Sequence, residues 1–176
     1  MKQIVLTGTG GQGLILAGII LAEAAVLDGK QAIQTQSYGP EARGGASKAE
    51  VLIADEPIDY PKVQKADTVL AMSQEAFNKY SATAGAGAKL IVDSTFVREL
   101  KETKAQLIAL PITKAAREEL GRDMFANIIA LGAIVGLTGT VSRASLEKAV
   151  LDRVPKGTED KNRKALDLGF QLAKQE

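Results

Sequence analysis

The stretch Gly8-Thr9-Gly10-Gly11-Gln12-Gly13 constrains this chain more than any other. It closes the apolar run Ile4-Val5-Leu6 and opens a long amphipathic stretch from Leu14 to Asp28, so the order reads strand, glycine turn, helix. Glycine at Gly8 and Gly10 permits positive φ and close approach of a ligand, while Gly13 leaves room for the helix to pack on the strand. Unpaired N–H groups at the helix start, added to the positive end of the helix dipole, suit this turn to a phosphate or another anion.

Gly8, Gly10 and Gly13 fit the spacing G-x-G-x-x-G. A nicotinamide or flavin dinucleotide fold adds an acidic residue about 20 positions further on, which holds the ribose hydroxyl. Here that region reads Ala32-Ile33-Gln34-Thr35-Gln36, with no acid. The turn therefore reads as an anion site and argues against NAD. A purely structural turn is the alternative, because glycines also serve tight strand-to-helix packing.

The remaining chain continues the alternation. Gly29 marks a helix end, and strands are expected at Gln31 to Gln36, Ser47 to Asp55, Asp67 to Met72, Lys89 to Asp93 and Ala105 to Leu110. Ser73 reads as a helix cap, Ser81 to Gly87 as a small-residue loop, and Thr113 as the cap of a helix over Lys114 to Leu120, with Gly121 as its stop. Met124 to Val141 is apolar throughout but too short and glycine-rich for a membrane span. Its small residues, Gly132 and Gly136 among them, predict close helix-on-helix packing in the core or under a partner subunit. Ser142 caps Arg143 to Val150, and Thr158 begins an amphipathic last helix. The fold class is thus α/β, a Rossmann-like sandwich with a mostly parallel sheet and helices on both faces. Residues 1–176 form a single domain.

A second loop, Ser37-Tyr38-Gly39-Pro40-Glu41-Ala42-Arg43-Gly44-Gly45-Ala46-Ser47, is too elaborate for a plain connection. In a parallel sheet wound this way, the carboxyl end of the second strand lies at the same edge as the glycine turn, so both loops converge on one ligand. Arg43 beside Gly44 and Gly45 suits a bidentate clamp on phosphate or carboxylate. An Arg43–Glu41 pair that only holds the loop is the alternative. Asp93 and Ser94, at the end of their strand, face the crevice or cap the next turn, and capping is the commoner use.

The composition excludes several functions. The net charge is +1, so there is no electrostatic case for nucleic acid or an anionic membrane. With no Cys and no His, the chain has no thiolate for an iron–sulfur cluster and lacks the commonest metal ligand and general base. A binding or subunit role follows more readily than a self-contained enzyme. No secretory signal is visible, and the cytoplasm is the expected compartment.

Three stretches together, Gly8 to Gly13, Tyr38-Gly39-Pro40-Glu41-Ala42-Arg43-Gly44-Gly45 with Ser47 after it, and Asn127-Ile128-Ile129-Ala130-Leu131-Gly132, resemble the gamma subunit of 2-oxoacid:ferredoxin oxidoreductases over essentially the whole chain. The resemblance favours the 2-oxoglutarate type, with pyruvate and ketoisovalerate types close. It implies coenzyme A-dependent oxidative decarboxylation of a 2-oxoacid to an acyl-CoA, with ferredoxin or flavodoxin as electron acceptor. Thiamine diphosphate, Mg2+ and iron–sulfur clusters then belong to alpha, beta and ferredoxin-like delta subunits, and this chain supports them and shares in placing coenzyme A. Loop physics assigns that contact to Gly8, Gly10, Gly11, Gln12 and Gly13 together with Tyr38, Glu41, Arg43, Gly44 and Gly45. No catalytic residue and no metal ligand is expected in the chain itself. Two other readings stand beside this one: a stand-alone nucleotide- or phosphometabolite-binding domain, and a dinucleotide-dependent oxidoreductase.

Overall fold

A computed structural model describes residues 1–37 and 46–176. The elements follow in the order β1 (Lys2–Thr9), α1 (Leu14–Leu27), β2 (Gln31–Ser37), β3 (Ala46–Ala54), β4 (Ala66–Ala71), α2 (Gln74–Tyr80), β5 (Ala84–Asp93), β6 (Gln106–Leu110), α3 (Ile112–Leu120), α4 (Ala126–Thr138), α5 (Arg143–Arg153) and α6 (Glu159–Lys174). The six strands form one sheet in the order β2-β3-β1-β4-β5-β6. Pairing is parallel from β1 through β4 and β5 to β6, but β3 runs antiparallel to both β1 and β2.

Both antiparallel pairs involve β3, and the other three are parallel, so the sheet is mostly parallel as expected. The carboxyl end of β2 still lies at the edge of the glycine turn, because two antiparallel steps restore the direction of β1. The reason is thus a hairpin, not a crossover.

Period-two alternation sorts the strands between two cores. Ile4, Leu6, Leu70, Ile91 and Ile108 face a layer built from α1, α3, α4, α5 and α6. Val5, Val69, Leu90 and Val92 face the opposite way, toward Phe77 of α2 and Val97. Helices lie on both faces, but very unequally.

Within this frame α4 is central. Its residues Ala126 to Val135 are all buried, and a Cβ on Gly132 would come within 2.5 Å of the Leu166 carbonyl on α6. A Cβ on Gly169 would come 2.8 Å from Gly132 Cα. The close helix packing read from the small residues is present, and the cover is the chain's own last helix.

Three local expectations change. The loop over Ser81 to Gly87 is a 3₁₀ turn, Ser81–Thr83, followed by the start of β5, because Ala84 pairs with Ala66 despite its low strand propensity. α1 is apolar nearly all round rather than amphipathic, with Glu23 its one charge and with Val26 and Leu27 exposed. α3 begins at Ile112, ahead of Thr113, because Asp93 at the end of β5 caps it from another element. Its carboxylate accepts N–H from Ile112 at 3.1 Å and from Thr113 at 3.2 Å, and the Thr113 hydroxyl at 2.5 Å. Ser73 and Ser142 cap their helices as expected. Among the described residues no helix is long and apolar enough to cross a membrane.

Candidate functional site

β1 runs directly into the glycine turn. Gly8 is still a strand residue, paired with Ser47, whose Oγ donates to the Gly8 carbonyl at 3.3 Å. The left-handed backbone falls on Gly11 (φ 88°) and Gly13 (φ 74°). This partly exchanges the roles read from the sequence, because a Cβ on Gly8 would collide with Gln12 Oε1 and come 2.5 Å from Leu14 Cδ1. Gly8 is the close-packing glycine. Gly13 is left-handed, and a Cβ there would come 2.6 Å from Asn127 Nδ2 of α4 rather than meet the strand.

Gln12 occupies the space that Gly8 leaves. Its Oε1 accepts the Thr9 N–H at 2.7 Å and its Nε2 donates to the Met72 carbonyl at 2.9 Å. The amide thus staples the carboxyl ends of β1 and β4 together. The Gln12 backbone N–H also donates within the turn, to the Thr9 carbonyl at 3.3 Å, so Gln12 shapes the turn.

Gly13 caps α1 without a side-chain hydrogen bond, and the first turn of the helix carries no acidic residue. The free N–H groups of that turn, with the positive dipole end behind them, remain available to an anion. The turn lies at the carboxyl edge between β1 and β4, whose onward connections run to opposite sides of the sheet, the switch point at which open α/β sheets bind ligands.

A cleft of about 360 Å³ lies against residues 9–12, with Phe96, Thr113, Asp123 and Met124 on its other side. Phe96 and Met124 are 37% and 57% exposed, so the cleft has an apolar rim beside its polar floor. Arg117 stacks over the Phe96 ring at 5.4 Å and holds Asp123 with two bonds of 2.6 and 2.9 Å. Those hydrogen bonds, reinforced by the guanidinium charge, keep the Asp123 carboxyl below its usual range and raise Arg117 in turn. Among the described residues Asp123 is the one carboxylate on the cleft wall, and Arg117 neutralises it. A turn of free N–H groups, an apolar rim and a compensated acid fit part of a large ligand bearing both phosphate and an aromatic ring.

Tyr38, Glu41, Arg43, Gly44 and Gly45 lie outside the described residues, and so does the proposed Arg43–Glu41 pair. Their flanks are placed. Ser37 pairs with Lys48 and Ala46 with Thr9, so the chain leaves and re-enters at the edge that carries the glycine turn. Sequence reasoning gave Asn127 no role at the site, although it is the one side-chain amide in an apolar run, and a buried amide requires a partner. Phe96 and Met124 carried no signal, since lone apolar residues on a surface are ordinary.

Residues 3–172 match the pyruvate ferredoxin/flavodoxin oxidoreductase family. The chain belongs to this family. Among its relatives in the family, 2-oxoglutarate synthase subunit KorC of Methanocaldococcus jannaschii is 51% identical over 177 residues, 99% of this chain and 95% of that protein. The crystal structure of the keto/oxoacid ferredoxin oxidoreductase gamma subunit from Geobacter sulfurreducens PCA is also 51% identical, with a TM-score of 0.91 over 100% of both chains. A third structure, the 2-oxoglutarate:ferredoxin oxidoreductase from Magnetococcus marinus with 2-oxoglutarate, coenzyme A and succinyl-CoA bound, is 24% identical with a TM-score of 0.89. It covers 99% of this chain and 31% of that one, a likeness of fold. The same fold thus occurs both free-standing and within a longer polypeptide. Membership makes the chain an oxidoreductase subunit and disfavours the stand-alone nucleotide-binding and dinucleotide-dependent readings.

Proposed function

We propose that this chain is the gamma subunit of a cytoplasmic 2-oxoglutarate:ferredoxin oxidoreductase, and that its glycine turn takes an anionic part of coenzyme A. The reaction is the oxidative decarboxylation of the 2-oxoacid to its acyl-CoA. Alpha, beta and ferredoxin-like delta subunits hold thiamine diphosphate, Mg2+ and iron–sulfur clusters, in keeping with a chain that has no Cys or His, and ferredoxin or flavodoxin takes the electrons. Coenzyme A, when bound, supplies the thiol that receives the acyl group. The observation that carries the residue-level reading is the start of α1 at Gly13, which has no side-chain cap and follows directly on Gly10, Gly11 and Gln12 in the cleft wall. The backbone of Gly10, Gly11 and Gly13 offers N–H groups and close approach, Gly8 and Gln12 hold the turn's shape, and Arg43 supplies a cation from the neighbouring loop, with Tyr38, Glu41, Gly44 and Gly45 around it.

A matched pair of substitutions tests the reading. Among the described residues no atom lies within 4 Å of a Cβ on Gly11, and Asn and Asp share the best tolerance of its left-handed φ, so Gly11→Asn and Gly11→Asp differ chiefly in charge. In the assembled enzyme, Gly11→Asp is expected to raise the KM for coenzyme A about tenfold above that of Gly11→Asn, by repulsion of the bound anion. Equal KM values for the two variants would remove the anion from this turn.

A further inference from the structure

Asn127 joins two parts of the molecule that the sequence keeps 114 residues apart. It sits in the first turn of α4 and is 7% exposed. Its Nδ2 donates to the Gly13 carbonyl at 3.2 Å, and its side chain fills the space that a Cβ on Gly13 would need. That carbonyl also accepts the Ala17 N–H at 3.0 Å, the first intrahelical bond of α1. One oxygen is thus held from both sides, by its own helix and by α4.

α4 is a firm anchor for this contact. Backbone-to-backbone packing against α6 at Gly132 and Gly169 leaves it no room to slide. The segment leading into it, the 3₁₀ turn Asp123–Phe125, also contributes Asp123 and Met124 to the cleft wall. A single stretch of chain therefore builds the wall of the cleft and fixes the turn on its floor. Gly13 is held in a left-handed conformation, and the direction of the following free N–H groups depends on that conformation.

We propose that Asn127 is a positioning residue for coenzyme A: by holding the Gly13 carbonyl it aims the N–H groups at the start of α1 toward the bound anion. This rests on the reading of the glycine turn given above. Asn127 touches no reacting atom. Its role is to keep the donors pointed at the ligand, so that binding does not have to order them.

The test uses the assembled enzyme carrying Asn127→Ala or Asn127→Asp, with KM measured separately for coenzyme A and for 2-oxoglutarate, and with the Gly11→Asn and Gly11→Asp pair run in parallel. Asn127→Asp preserves volume but removes the donor and sets a carboxylate oxygen against the Gly13 carbonyl. It carries the readout if Asn127→Ala does not assemble. The expected result is a KM for coenzyme A raised about five- to tenfold, the order of one lost hydrogen bond, with the KM for 2-oxoglutarate unmoved. If the Gly11 pair separates as expected while both Asn127 variants keep the wild-type KM for coenzyme A, the positioning role is overturned and the anion site stands. If the two KM values rise together, or neither variant yields a folded subunit, the contact is architectural and the proposal fails. If the Gly11 pair does not separate, both readings fall.

Discussion

Gly8 and Gly13 illustrate how one residue type answers different physical demands five positions apart. At Gly8 the backbone is an ordinary strand, and what glycine supplies is the absence of a Cβ where Gln12 Oε1 lies. At Gly13 it supplies both a left-handed φ and the space for Asn127. The G-x-G-x-x-G spacing is therefore shaped as much by the two amides that brace the turn as by approach of a ligand. Gly8→Ala is expected to push the Gln12 amide off Thr9 and Met72 and to cost about 2 kcal/mol, lowering the thermal midpoint by about 5 °C. A melt equal to wild type would mean that Gln12 re-seats elsewhere without loss. Asp93 shows the same economy of side chains in a carboxylate, for it is fully buried and bonds three backbone N–H groups, those of Thr95, Ile112 and Thr113.

Between elements, the strongest constraint is the contact of α4 with α6. Glycine on both helices lets their backbones touch, so the buried helix is roofed at close range without intervening side chains. Gly169→Ala would drive a methyl to 2.7 Å from the Ala133 nitrogen, and backbone cannot move aside as a side chain can. We expect a loss of about 3 kcal/mol or more there. Gly121 is the control: its φ of 76° is left-handed, but among the described residues no atom lies within 4 Å of its would-be Cβ. Gly121→Ala should therefore cost only the conformational penalty of about 1 kcal/mol. Chemical denaturation of the two variants side by side checks the difference, and equal losses would mean that the helices separate easily to admit the methyl.

At the scale of the whole molecule, the amino- and carboxyl-terminal halves are tied together by polar contacts as well as by the core. Asp28, just past α1, accepts the Ser142 N–H at 2.6 Å, the Ser142 hydroxyl at 2.7 Å and the Ser145 hydroxyl at 2.6 Å at the start of α5. Desolvation raises its carboxyl, but the bonds from Ser145 and Ser142, aided by Lys30, outweigh this and hold it below its ordinary value. A carboxyl lowered in the folded state stabilises the fold above its unfolded pKa of about 4, and that stabilisation is lost as pH falls through the folded value. The melting-temperature gap between wild type and Asp28→Asn should therefore be full above about pH 5 and close progressively below about pH 4. A gap that persists unchanged into stronger acid would show that the hydrogen bonds do not depend on the charge. The sequence by itself determined the α/β class, the glycine turn at the end of the first strand, the Ser73 and Ser142 caps and the tight packing of the apolar helix, because each of these is written in local periodicity or in the special backbone freedom of one residue. Only the tertiary structure decided that β3 inserts antiparallel between β2 and β1, that Asp93 starts α3 and that Asn127 holds Gly13. Those outcomes depend on which distant partner satisfies a buried strand edge, a helix's free N–H groups or a lone amide, and such partners are chosen by the packing of the whole chain.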